Sequence, residues 1–265
     1  MVLSGCASIP FAQDPQESAD AIAGKSGLLG AFERVGDFEL LTYRRGISTT
    51  RGPVHIYIEG DGRAWRARRP PRNPTPYAPM GLRLAAQDPA PALLWIARPC
   101  MYLDDAATAR CDPQWWTSHR YAPVVVDALN ALISRAVGNR EVVLIGHSGG
   151  GALATLIAAN RGDVAGLITI GSPLDLDFWT TQGGMTPLHG SRNPIEIAHL
   201  LGNLPQRHLT SNEDKVVPRA VVQRFVEAIP QPNSAQLEVW PEHSHQCCWA
   251  RDWRQLLTQS PPTKK

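Results

Sequence analysis

Apolar positions in this chain fall into short blocks of two kinds, one with the period of a strand and one with the period of a helix. Phe38 to Tyr43 reads as a strand closed by the basic turn Arg44-Arg45-Gly46. Val54 to Ile58 alternates β-branched and aromatic residues and stops at Glu59-Gly60-Asp61-Gly62. Leu93 to Ala97, Val142 to Ile145 and Leu167 to Ile170 are continuous apolar runs, the mark of strands buried on both faces; Arg98-Pro99, Gly146 and Gly171-Ser172-Pro173 end them. Arg207 to Ser211 and Gln236 to Trp240 complete the predicted strands. From Ala122 to Val137 the residues Val125, Leu129, Leu132, Ile133 and Ala136 recur at helical spacing, with Pro123 near the start and Gly138 just past the end. Ala152 to Asn160, Arg219 to Ala228 and about Trp249 to Leu257 read as further helices. Residues 63 to 80, rich in Arg and Pro, break regular structure, and residues 174 to 206 read as an irregular or weakly helical insertion. Strands alternating with helices predict an α/β chain with a mainly parallel central sheet and helices on both faces.

Composition narrows this. With 265 residues, 43% hydrophobic and 19% charged, the chain can bury the core of one large domain. A net charge of +2 argues against nucleic acid as a general partner. No run of eighteen apolar residues is present, so nothing in the sequence reads as a membrane span.

The chemistry concentrates at Gly146-His147-Ser148-Gly149-Gly150, which matches G-x-S-x-G between an apolar strand and a helix. That corner forces strained backbone angles on the serine, and glycine neighbours remove the side chains that would clash. The hydroxyl then stands above the strand ends, near the free amides of a helix start. A Walker loop needs a Gly-Lys-Ser/Thr run and a dinucleotide loop needs G-x-G-x-x-G, and this segment supplies neither.

On this elbow, on the acid segment Asn212-Glu213-Asp214-Lys215-Val216-Val217-Pro218 and on the late segment Pro241-Glu242-His243-Ser244-His245, the chain resembles the α/β-hydrolase superfamily over roughly residues 35 to 258. A closer similarity is to proteobacterial envelope lipoprotein hydrolases with the segments Gly60-Asp61-Gly62, Asn73-Pro74-Thr75-Pro76 and Arg98-Pro99-Cys100. The resemblance implies the α/β-hydrolase fold, with 174–206 as a small cap-like insertion after its sixth strand. It implies Ser148 as nucleophile, Asp214 as acid and His245 as base, in the superfamily's chain order. His243 is the rival base, and Asp175, Asp177 and Glu213 are rival acids, while His147 lies inside the elbow and is too constrained to serve. For the oxyanion, the amide of Gly149 is one donor, and the second comes from the loop after Ile58, Asp61 first and Gly60 next, with Glu59 where many relatives have histidine.

Leu3-Ser4-Gly5-Cys6 resembles a bacterial lipobox, whose cysteine is acylated after signal cleavage. Only five residues precede Cys6, so Met1 reads as lying inside a longer signal. Residues 1–30 are then a truncated signal and tether, 31–260 the hydrolase domain and 261–265 a tail. Ala7 after the cysteine resembles the outer-membrane sorting pattern, which places the chain in the bacterial envelope, on the periplasmic side of the outer membrane. Cys100, Cys111, Cys247 and Cys248 allow three pairings; Cys100–Cys111 is preferred, with Cys247 and Cys248 bridged to each other or reduced. His243-x-His245-x-Cys247-Cys248 matches no common zinc spacing, so no metal and no cofactor is called for.

Arg63, Arg66, Arg68, Arg69 and Arg72 suit either an anionic substrate group or a solvated loop, the latter favoured. Of Trp65, Trp115, Trp116, Trp179 and Trp249, some suit an acyl pocket and most suit core or loop anchors. The expected activity is cleavage of a carboxylester or thioester in a small-molecule or lipid-like substrate, with membrane contact through the Cys6 anchor. The alternatives are an acyltransferase on the same triad and an envelope binding protein that has lost catalysis.

Overall fold

The computed structural model describes residues 14–65, 69–231 and 234–258; Cys6 and the lipobox, Arg66, Arg68 and the tail 261–265 lie outside them. The strands are β1 (Leu29–Val35), β2 (Phe38–Arg45), β3 (Val54–Ile58), β4 (Leu93–Ile96), β5 (Val142–His147), β6 (Val164–Ile170), β7 (Gln206–Thr210) and β8 (Ala235–Val239). The helices are α1 (Pro15–Lys25), α2 (Met80–Gln87), α3 (Asp105–Thr108), α4 (Pro123–Val137), α5 (Gly149–Ala158), α6 (Leu176–Gln182), α7 (Arg219–Glu227) and α8 (Trp249–Thr258).

One eight-stranded sheet runs in the order β1-β2-β4-β3-β5-β6-β7-β8. β1 and β2 are antiparallel to their neighbours, and β4, β3, β5, β6, β7 and β8 are parallel. The parallel strands all end at one edge, so every loop that leaves a strand's carboxyl end meets the others there. β3 and β5 are neighbours, with Ile58 paired to Gly146, which brings Gly60 alongside Ser148.

Residues alternate across the sheet and build two cores. Ile56, Ile58, Leu94, Ile96 and Leu144 pack with Val125, Leu129 and Leu132 of α4, Leu153 of α5 and Phe225 of α7. Tyr57, Leu93, Trp95 and Ile145 face the other way, onto Ala19 and Ala23 of α1, Leu82 and Leu84 of α2, and Trp249 and Trp253 of α8. Helices cover both faces.

The structure moves two boundaries and fills in a third stretch. The folded unit begins earlier than residue 31: α1 buries Ala19 and Ala23, Tyr43 donates to Asp20 at 2.6 Å, and β1 opens at Leu29. Residues 14–30 are therefore packed structure rather than tether. α5 begins at Gly149 instead of Ala152, because the first helical turn needs no side chains and three glycines occupy it. The stretch 174–206 contains α6 and a 3₁₀ segment over Pro194–Leu201. Both anchor themselves, with Trp179, Ala198 and Leu201 buried.

Candidate active site

Ser148 sits on the corner between β5 and α5 at φ 54 and ψ −131, a backbone conformation that costs a non-glycine residue about 1–3 kcal/mol. What holds it there is close packing. A Cβ on Gly146 would come within 2.2 Å of the Gly150 carbonyl carbon, and one on Gly149 within 2.0 Å of Asp61 Oδ1. The Ser148 amide donates to the Ile170 carbonyl at 2.8 Å, tying the corner to β6. The half-buried side chain opens into a cavity of about 1290 Å³.

The loop after β7 delivers Asp214. One carboxylate oxygen accepts the amides of Val216 and Val217 at 2.9 and 2.8 Å, and the other accepts His245 Nδ1 at 2.8 Å. The carboxylate is sealed from solvent. The loop after β8 delivers His245, whose Nε2 lies 3.1 Å from Ser148 Oγ. With Nδ1–H given to Asp214, Nε2 is left to accept the serine proton. The three sequence-predicted residues stand as one relay from carboxylate to hydroxyl.

The rivals are engaged elsewhere. Asp175 caps α6 through the Phe178 amide at 3.1 Å and pairs with Arg224 at 2.7 Å. Asp177 accepts from Asn193, and Glu213 lies exposed, 3.8 Å from Lys215. The His243 ring is buried between Trp240 and Trp249, with Nε2 3.1 Å from Asp252, and burial pushes its pKa down. Its backbone carbonyl accepts from Ser211, which braces the base loop.

On the oxyanion side, the structure corrects one expectation: the Gly60 amide donates to Glu59 at 3.0 Å and is not free. The Asp61 amide donates to no group among the described residues, and the Gly149 amide lies in the first turn of α5, where helix amides lack intrahelical partners. The sequence did not disclose what holds this loop. The buried Glu59 carboxylate accepts the amides of Gly60, Gly81 and Leu82 and the Trp95 indole at 3.0–3.2 Å, clamping the end of β3 to the start of α2. Burial raises its pKa.

The Asp61 carboxylate accepts from Arg98 and Arg120 at 2.9 Å each and from the Tyr121 hydroxyl at 2.6 Å. Burial works against its charge, and the two guanidiniums outweigh that and hold its pKa down. The joint presence of Gly60-Asp61-Gly62 and Arg98-Pro99-Cys100 was a signal for half of this cluster; nothing local marked Arg120 or Tyr121. His147 also has a part: its Nε2 lies 2.6 Å from the His245 carbonyl, so the residue before Ser148 straps the loop carrying His245 in place. Burial, with the neighbouring His245, lowers its pKa to about 3 and keeps it neutral.

The structure pairs Cys100 with Cys111 and Cys247 with Cys248. The second pair follows His245 by two residues, in a turn where the Ser244 amide donates to the Cys247 carbonyl at 2.7 Å and the Trp249 indole to the Ser244 carbonyl at 2.8 Å. Trp65 and Trp179 line the cavity; the Trp179 indole donates to the Val216 carbonyl at 2.7 Å, joining α6 to the acid loop. Trp116 and Trp249 are core, and Trp115 packs edge-on against Phe38.

A family model described as a PGAP1-like alpha/beta domain matches residues 119–198. No curated protein matches the chain. Among solved structures, Est1E from Butyrivibrio proteoclasticus superposes with a TM-score of 0.59 at 13% identity, over 86% of this chain and 97% of that one. The esterase domain of a Rhodothermus marinus protein gives 0.58 at 12% identity, over 86% and 94%. An alpha-beta serine hydrolase homologue from Coxiella burnetii gives 0.56 at 15% identity, over 87% and 96%. The architecture is the α/β-hydrolase fold.

Proposed function

We propose that this chain is a serine hydrolase that cleaves a carboxylic ester or thioester through an acyl-enzyme on Ser148. The observation that carries this reading is the unbroken relay of Ser148 Oγ, His245 Nε2 at 3.1 Å, and Asp214 Oδ2 at 2.8 Å from His245 Nδ1. It opens into a cavity walled partly by apolar side chains, among them Trp65, Tyr77, Trp179, Leu188 and Val216.

Ser148 Oγ attacks the carbonyl carbon while His245 Nε2 takes the hydroxyl proton. Asp214 holds the imidazole in the tautomer that can accept it and stabilises the imidazolium that forms. The carbonyl oxygen becomes an oxyanion facing the Gly149 and Asp61 amides, each donor worth about 2.7–4 kcal/mol of barrier lowering. Collapse expels the alcohol or thiol, which takes the proton from His245 and leaves the acyl group on Ser148. Water then attacks with His245 as base, and the carboxylic acid leaves.

A fluorophosphonate probe tests this directly. Folded wild type is expected to be labelled on the peptide containing Ser148, and Ser148→Ala to lose both the label and on the order of 10⁴–10⁶ in kcat on a short nitrophenyl ester. A folded wild type that takes no label, or takes it on another residue, would end the proposal.

A further inference from the structure

The cavity above Ser148 is not electrically neutral. Two carboxylates, Glu59 and Asp61, and three guanidiniums, Arg63, Arg83 and Arg120, line it. Glu59 is wrapped by its amide and indole donors and presents no open acceptor. Asp61 is shared between Arg98 and Arg120, so this buried cluster keeps one surplus positive charge beside the nucleophile corner.

Arg63 and Arg83 have no acidic partner among the described residues. Every Asp and Glu of the sequence lies within those residues, so no acidic side chain outside them pairs with either arginine. The two arginines differ in what they can still do. Arg63 is committed: it donates to the carbonyls of Thr75 and Asn73 and to the Tyr77 hydroxyl, and it stacks 4.2 Å from the Tyr77 ring centroid. Arg83, exposed on α2, makes no side-chain hydrogen bond to a described residue, which leaves its whole planar fork open for a ligand. Beside these cations, Trp65, Tyr77, Met185 and Val216 are exposed on the same cavity lining.

We propose that the substrate of this site is an amphipathic ester carrying a carboxylate or phosphate, with Arg83 binding the anionic group and the exposed apolar side chains taking the chain beside it. This rests on the hydrolase reading above and names the substrate class for it. A guanidinium meets either anion with two parallel N–H donors, and a cavity lined by unbalanced cations draws such a ligand in.

Two matched pairs of esters test it: monohexanoylglycerol phosphate against monohexanoylglycerol, and the nitrophenyl half-ester of adipic acid against nitrophenyl hexanoate. Wild type is expected to prefer the anionic member of at least one pair by about tenfold in kcat/KM, mainly through KM. The pair that shows the preference identifies phosphate or carboxylate. Arg83→Gln should lower that ratio by about tenfold and Arg83→Lys by less, since lysine keeps the charge and loses the fork. A wild-type ratio of one or below in both pairs, or a ratio unmoved in Arg83→Gln, overturns the inference while turnover of the neutral esters leaves the hydrolase reading standing. No turnover of any ester, together with no fluorophosphonate label, removes that reading and the inference with it.

Discussion

At the scale of single residues, the proposed mechanism has Asp214 orient the base without touching substrate. In Asp214→Asn the amide oxygen can still accept from Val216 and Val217, but the group facing His245 Nδ1 becomes a donor or a weaker acceptor. The imidazole then loses its bias towards the productive tautomer. The expected outcome is a loss on the order of 10⁴ in kcat with little change in KM, read by steady-state kinetics on a nitrophenyl ester. These residues were legible because each belongs to a local signature: glycines around a serine, an aspartate before Val-Val-Pro, a histidine after the last strand. Where a choice remained, between Asp214 and Asp175 or between His245 and His243, three-dimensional partners decide it. Arg224 takes Asp175, and two tryptophans enclose His243. The Asp61 cluster was legible only in part: Arg98 belongs to the Arg98-Pro99-Cys100 segment, whereas Arg120 and Tyr121 lie 59 and 60 residues from Asp61 and carry no periodic mark.

At the scale of elements, the two amino-terminal elements missed in the sequence, α1 and β1, share a cause. β1 is an edge strand whose residues are largely exposed, so it lacks the apolar run that betrays a buried strand. α1 turns only Ala19 and Ala23 fully inward, too little contrast for a hydrophobic face. Its start was nonetheless written locally: Asp14 accepts the Gln16 amide at 2.7 Å, Pro15 opens the first turn and Glu17 sits in it. Asp14→Ala removes that acceptor and should lower stability by about 0.5–2 kcal/mol, seen as a lower midpoint in urea unfolding. An unchanged midpoint would show that packing of α1 on the sheet, and not its cap, sets its order.

At the scale of the molecule, two histidines are buried neutral, His147 and His208, each with its pKa lowered to about 3 by burial. Unfolded histidine titrates near 6.5, so between roughly pH 6.5 and 3 the unfolded chain binds protons that the folded one refuses. Stability is therefore fully present above that window and is lost as pH falls through it; Glu59, with its raised pKa, acts in the opposite direction. His208 lies away from the relay, bonded to Thr169 and Gln206. In His208→Gln the slope of unfolding free energy between pH 6 and 5 should be shallower by about 1 kcal/mol per pH unit, measured by urea titration at each pH. Equal slopes would mean that His208 accepts its proton in the folded state.

The pairing of Ile58 with Gly146 makes the sheet itself a ruler for the chemistry. Loops elsewhere can lengthen or shorten in evolution without moving the gap between the Asp61 amide and the serine, since backbone ladders measure it out. A slip of one residue between β3 and β5 would displace the proposed oxyanion donor by about 3.3 Å, beyond hydrogen-bonding reach, with every side chain of the relay still in place. Evolution can therefore remodel the cavity walls freely, provided these two central strands keep step.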